Sequence, residues 1–252
     1  MKEYYQFLHF GIQCILWRKH MKFTKILSLI FLTTAMTLGA AETEQKPEIR
    51  VEKSVTDYIA KDFSHLLGME GFSDELLNMH FTLYRGYVKH TNLLNKMLRS
   101  YLVGKSPDYT YQALKRRFGW EFDGMRLHEL YFENLGGKTE LDKSSALYQL
   151  IMRDFGSYDA WKADFISTGK MRGVGWSVLY LDPKTDRLFN TWINEHDVGH
   201  LAGGDPILVM DIWEHAYMPQ YGLDRGKYID AFFKNIDWVV TARRLHNAVI
   251  SR

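Results

Sequence analysis

One stretch, "DELLNMHFTLYRGYVKHTNLLNKMLRSYL", constrains the fold of this chain more than any other. Its apolar residues recur at helical spacing, which predicts one long amphipathic helix. Ser73, directly before Asp74 and Glu75, supplies an N-cap with acids in the first turn. Unpaired backbone N–H groups and the helix dipole favour those residues there. Gly104 and Pro107 break the pattern. A second helical region covers 108–134, through "YQALKRRF" and "FDGMRLHELYFENLGG", and ends at a Gly-Gly pair.

The character then changes. "SSALYQLIMRDFG" and "SYDAWKADFISTGK" read as two further helices. "GWSVLYL", a turn at "DPKTD", and "RLFNTWI" read as an alternating hairpin, and "PILVMDI" as a third strand. The tail, 226–248, reads as helical. The expected fold class is α+β: a helical N-terminal domain, 55–138, and a C-terminal α/β domain, 139–252, with a small three-stranded antiparallel sheet. With 252 residues, 46% hydrophobic and 15% aromatic, the chain has material for a substantial core. A formal charge of +2 excludes the large basic field of a nucleic-acid-binding protein.

The N-terminus differs from the rest. From Met21 the sequence reads "MKFTKILSLIFLTTAMTLGAAETEQ", with Lys22 and Lys25 ahead of an apolar stretch, Ile26 to Leu38. Gly39 and Ala41 supply small residues for a cut after Ala41. Residues 1–41 are therefore expected to be a secretory signal, with Met21 as a second possible start and 42–54 as a polar linker. The alternative is an uncleaved anchor. The expected location is periplasmic or secreted, without stable membrane insertion after cleavage. Cys14, the one cysteine, lies in this segment, so the mature chain would hold no disulfide and no thiolate site.

Among ten histidines, His80 and His128 fall mid-helix, His196 follows the second strand, and His215 closes "DIWEH", four residues after Asp211. Each alone reads more simply as a satisfied core imidazole. No HExxH, no cysteine-based zinc pattern and no GxSxG elbow is present. Dispersed histidines with one aspartate suit iron or manganese with a coordination position left open.

"DIWEHAY" resembles the C-terminal signature of the iron/manganese superoxide dismutases. "FGSYDAWKADF", "GVGW" and "YIDAFFKNIDWVVTARRL" are similar to that family in the same order, over about residues 55–248. The resemblance implies a helical hairpin packed on an α+β domain, with one Fe or Mn ion per subunit held by His80, His128, Asp211 and His215. Asp211 would sit at a strand end and His215 at the following turn. It implies superoxide as substrate, Trp176 and Trp213 as aromatic walls, and a homodimer in which Glu214 reaches the partner's histidine ligand. Catalytic support would come from Tyr87 and His196.

The departures from the family are specific. Its glutamine near the bound solvent is replaced: the helix position is Gly124 and the loop position is His196, an imidazole that titrates near neutrality when unperturbed. His200 is the weaker candidate for that role. The family's gateway tyrosine aligns with Val88, but Tyr87 stands one residue earlier, where a seven-residue step from His80 returns to the same helix face. A His/Tyr pair that bonds across the family's dimer is replaced by Tyr84 and Met218. Arg225 and Lys227 are candidates for steering an anion. The competing function is a catalytically weak metal-binding scaffold of the same fold.

Overall fold

The computed structural model describes residues 57–104 and 106–250. The expected signal segment, the linker at 42–54 and Cys14 lie outside the described residues.

The first long helix, α1 (Asp74–Leu102), starts where Ser73 accepts a hydrogen bond from the Leu76 N–H at 3.2 Å. Its buried stripe includes Leu77, Phe81, Tyr84 and Val88, with His80 among them. Asp108 caps α2 (Tyr109–Glu133) through the Tyr111 N–H at 2.8 Å. The two helices run antiparallel: Tyr101 meets Tyr111, Tyr84 meets Glu129, and His80 meets Phe132. A hydroxyl–carboxylate bond of 3.0 Å joins Tyr84 to Glu129, and Tyr84 also accepts from the Lys61 N–H. The residue in the family's histidine position thus secures the incoming chain.

Ser145 and Ser157 cap α3 (Ala146–Phe155) and α4 (Tyr158–Gly169), and Gly156 supplies the left-handed turn between them. The sheet holds β1 (Gly175–Asp182), β2 (Arg187–Asn194) and β3 (Asp205–Asp211) in the antiparallel order β2-β1-β3. The expected alternation fails in β1. Trp176 through Leu181 are all buried, because β1 is central and helices cover the sheet. A strand buried on both faces has no solvent side to encode.

The tail is helical as expected, in two pieces: after a short α5 (Met218–Tyr221) come α6 (Arg225–Lys234) and α7 (Trp238–Ile250). The break at 235–237 is tied to the end of α2: Gly137 N–H donates to Asn235 O, and Asp237 N–H to Asn134 O. A Cβ on Gly137 would stand 2.2 Å from Ile236 O, so this glycine allows the close backbone contact. Asn134 extends the seam by exchanging two side-chain hydrogen bonds with the Val209 backbone on β3. Arg244 on α7 donates to Leu130 O, at the C-terminal end of α2. One hydrophobic core runs from Phe63 on the helical side to Leu245 at the C-terminus. Among the described residues no helix is long and apolar enough to cross a membrane.

Candidate metal centre

Regular structure places the four singled-out side chains together. His80 is on the buried stripe of α1, His128 on that of α2, Asp211 ends β3, and His215 follows in a short 3-10 turn, Glu214–Ala216. One ligand atom from each lies within 4.8 Å of every other. The Nε2 atoms of His80, His215 and His128 stand 3.1, 3.3 and 3.6 Å from the same oxygen, Asp211 Oδ2.

The support of each ligand fixes which atom faces inward. Asp211 Oδ1 accepts from the Trp213 N–H at 2.8 Å, which turns Oδ2 toward the three imidazoles. The Asp211 carbonyl accepts from Tyr228 Oη. His128 Nδ1–H donates to Gly124 O at 2.5 Å, so its Nε2 carries a lone pair. That Nε2 is fully buried and has no hydrogen-bond partner in the protein. A lone pair facing a carboxylate oxygen is repulsive unless a cation lies between them.

Protonation agrees. Burial pushes His80 and His128 below the usual imidazole range and keeps them neutral. Burial alone would raise Asp211, but the facing His215 and His80 outweigh it and keep the carboxylate ionised. Neutral imidazoles and a carboxylate are the forms that bind a divalent or trivalent cation. The residues present therefore fit a mononuclear iron or manganese ion.

Aromatic rings enclose the cluster. Trp176 meets His128 edge-on at 5.0 Å, and Trp213 stacks on His196 at 4.7 Å and on His215 at 5.8 Å. Tyr131 and Phe132 pack against His80. Tyr87, not Val88, reaches the site. Its ring stacks on His128 at 5.0 Å and its hydroxyl lies 2.8 Å from His196 Nε2, while Val88 joins the core. A Cβ on Gly124 would stand 2.7 Å from Tyr87 Cδ1. The glycine in the family's amide position thus makes room for this ring.

The tautomer of His196 follows from its neighbours. Trp176 Nε1–H can only donate, and it donates to His196 Nδ1 at 3.1 Å. The neutral ring therefore carries its proton on Nε2 and donates it to Tyr87 Oη, which leaves the Tyr87 proton available to another acceptor. Burial pushes His196 down to about 4, so the expected titration near neutrality is not found. His200 stands further out and braces the loop, donating to His196 O at 2.8 Å.

Glu214 is exposed beside His215 and does not point into its own site. Two other expectations resolve differently. Arg225 is no free steering charge: its guanidinium donates to the carbonyls of Gly169, Met171 and Gly173 and to Tyr217 Oη. Lys227 pairs with Asp224 at 3.1 Å. Sequence reasoning passed over Trp120, which packs on Tyr87 and His196. Its signal was present, since Trp120, Gly124 and His128 follow one another at four-residue steps along α2.

The comparisons with known proteins agree with this geometry. The family described as iron/manganese superoxide dismutases, C-terminal domain, matches residues 143–244. An iron superoxide dismutase of Cupriavidus metallidurans is 39% identical over 184 residues, covering 72% of this chain and 92% of the relative. A manganese superoxide dismutase of Haloferax volcanii is 35% identical over 178 residues, 70% of this chain and 88% of its own length. A superoxide dismutase of Aeropyrum pernix named for both manganese and iron is 32% identical, covering 70% and 84%. Similarity across nearly the full length of such relatives, joined to four potential ligands that meet where two helices and a strand end converge, means that this chain belongs to the iron/manganese superoxide dismutase family.

Proposed function

We propose that this chain disproportionates superoxide to oxygen and hydrogen peroxide at one iron or manganese ion per subunit, held by His80, His128, Asp211 and His215. The observation that carries the reading is the convergence of three imidazole nitrogens on one carboxylate oxygen, one of those nitrogens buried and unsatisfied by the protein. The activity named for the relatives supports it.

A bound iron or manganese ion supplies the one-electron chemistry by which one superoxide is oxidised and a second is reduced. The protein's own part is positioning and proton supply. Asp211 Oδ1 and His128 Nδ1 are used up in backbone hydrogen bonds, which aims their other atoms inward. Tyr87 Oη accepts from His196 and keeps its own proton for the reduced product. Trp176, Trp213 and Tyr87 restrict water around the ligands.

The chain is further read as a homodimer, since Glu214 is exposed next to His215, where a second subunit could meet it. It is read as periplasmic or secreted, with residues 1–41 removed, from the basic start and apolar run after Met21. Residues 55–138 are then its helical domain and 139–252 its α+β domain.

The test is metal analysis and superoxide consumption on the same purified sample, after reconstitution with each ion. Stoichiometric metal with rapid superoxide loss is expected. Full occupancy without activity would overturn the reading in favour of a metal-binding scaffold. Light scattering and the mass of the protein recovered from cells test the dimer and the cleavage.

A further inference from the structure

Trp120 touches no ligand atom, yet it covers the outer pair. Its ring lies 4.5 Å from His196 edge-on, 5.6 Å from Tyr87 and 6.3 Å from Trp213. Two charged groups fix its plane. The Arg117 guanidinium stacks over the indole at 3.7 Å, and the indole N–H donates to Glu195 Oε2 at 3.1 Å. Arg117 is itself held by Glu121, with contacts of 2.8 and 2.7 Å. Glu121 is a buried carboxylate on α2, only 3% exposed.

Glu195 adds a second observation. It has φ of +51°, a left-handed conformation that side chains other than glycine rarely adopt. Such a residue persists where its surroundings over-determine it. Here its N–H donates to Val174 O at 3.0 Å while its carboxylate takes the Trp120 N–H. It directly precedes His196, so whatever fixes Glu195 also fixes where that imidazole points.

We propose that Trp120 is a positioning residue for proton supply. It holds the Tyr87–His196 hydrogen bond closed and shielded from water, and Arg117 and Glu195 lock it in place. The hydrogen bond joins α1 to the β2–β3 loop, two elements with no covalent continuity near this point. Trp176 and His200 brace His196 from its own side of the molecule. Trp120 supplies the brace from α2. With the indole gone, water reaches Tyr87 Oη and competes for the His196 proton.

This rests on superoxide dismutation as the activity, and two readouts on the metal-loaded full chain separate the claims. The first is steady-state kinetics with metal content measured on each sample. Trp120→Ala is expected to keep its metal, to lose roughly tenfold in kcat, and to leave kcat/KM nearly unchanged, because proton supply and not capture is impaired. Trp120→Phe retains a ring and is expected to recover kcat to within about threefold of the parent. The second is backbone hydrogen exchange by mass spectrometry, in which residues 194–200 should exchange faster in Trp120→Ala.

Unchanged kcat per bound metal, with or without a lower melting temperature, overturns the proposal, as does unchanged exchange. Should Trp120→Ala fail to fold, Glu195→Ala decides. Faster exchange at 194–200 with a kcat loss of about threefold supports the lock, and parental values overturn it. If the parent protein itself consumes no superoxide, the functional reading fails, while the exchange data still decide whether Trp120 holds the loop.

Discussion

The ligand cluster and the Tyr87–His196 pair stand side by side but are held by different means. Three of the proposed ligands, His80, His128 and Asp211, come from the interiors of helices and the end of a strand, where hydrogen-bonded backbone fixes the side-chain direction. His196 comes from a loop with a left-handed residue before it, and its orientation depends on side chains from other elements. The inner set is placed by secondary structure and the outer pair by tertiary contact. Changes to the first should abolish the site; changes to the second should detune it.

The largest effect expected is at Asp211. Asp211→Ala removes the oxygen on which all three Nε2 atoms converge, so metal content should fall to background. Activity should drop by more than the roughly 100-fold that changes around a ligand shell cause. Elemental analysis with the dismutation assay reads both, and retained metal would break the distinction between the two regions.

Gly124→Ala tests the outer pair without touching a ligand side chain. Alanine is the better helix former by about 1 kcal/mol, but its Cβ would meet Tyr87 Cδ1 at 2.7 Å. Overpacking of that kind costs about 1–3 kcal/mol, so the clash wins. Metal should stay bound while kcat falls roughly tenfold. A variant that is more stable and fully active would show that the Tyr87 ring moves freely.

Arg225→Ala separates structure from steering. Loss of hydrogen bonds to three loop carbonyls should lower stability by about 1–3 kcal/mol in denaturant titration. The salt dependence of kcat/KM should not change. A flattened salt dependence would restore the steering role.

The smallest effect is remote from both regions. Burial would raise the Asp154 carboxyl, but its bonds to Arg153 and to the Leu188 N–H more than offset this and hold it below the usual carboxylate range. A folded-state pKa below the unfolded one adds stability above the unfolded value, and that stability is lost as pH falls through the folded value. Asp154→Asn should therefore cost about 1 kcal/mol at neutral pH and less in acid, as read by melting temperature against pH. An equal loss at every pH would remove the charge from the explanation.

Much of this was legible in the residues. Ser73 with Asp74 and Glu75 marks a helix start because the orphan N–H groups there need acceptors. The hairpin shows because "DPKTD" punctuates two apolar runs. "DIWEHAY" carries two proposed ligands in one turn, so its resemblance to the family survives without any fold. The misreadings share a cause: they required knowing what lies across the core. Alternation fails in β1 because helices cover the sheet. Arg225 looks like a free charge until the loop carbonyls of 169–173 fold over it.

The sequence by itself determined the helices, the strands and the residue types able to hold an ion, because caps, periodicity and turn chemistry act within a few residues. Only the tertiary structure decided that four donors separated by up to 135 positions meet within 4.8 Å, that His196 is neutral with its proton on Nε2, and that Tyr87 fills the space Gly124 leaves. Those facts depend on burial and on distances between elements, which arise from packing and have no local signature in the chain.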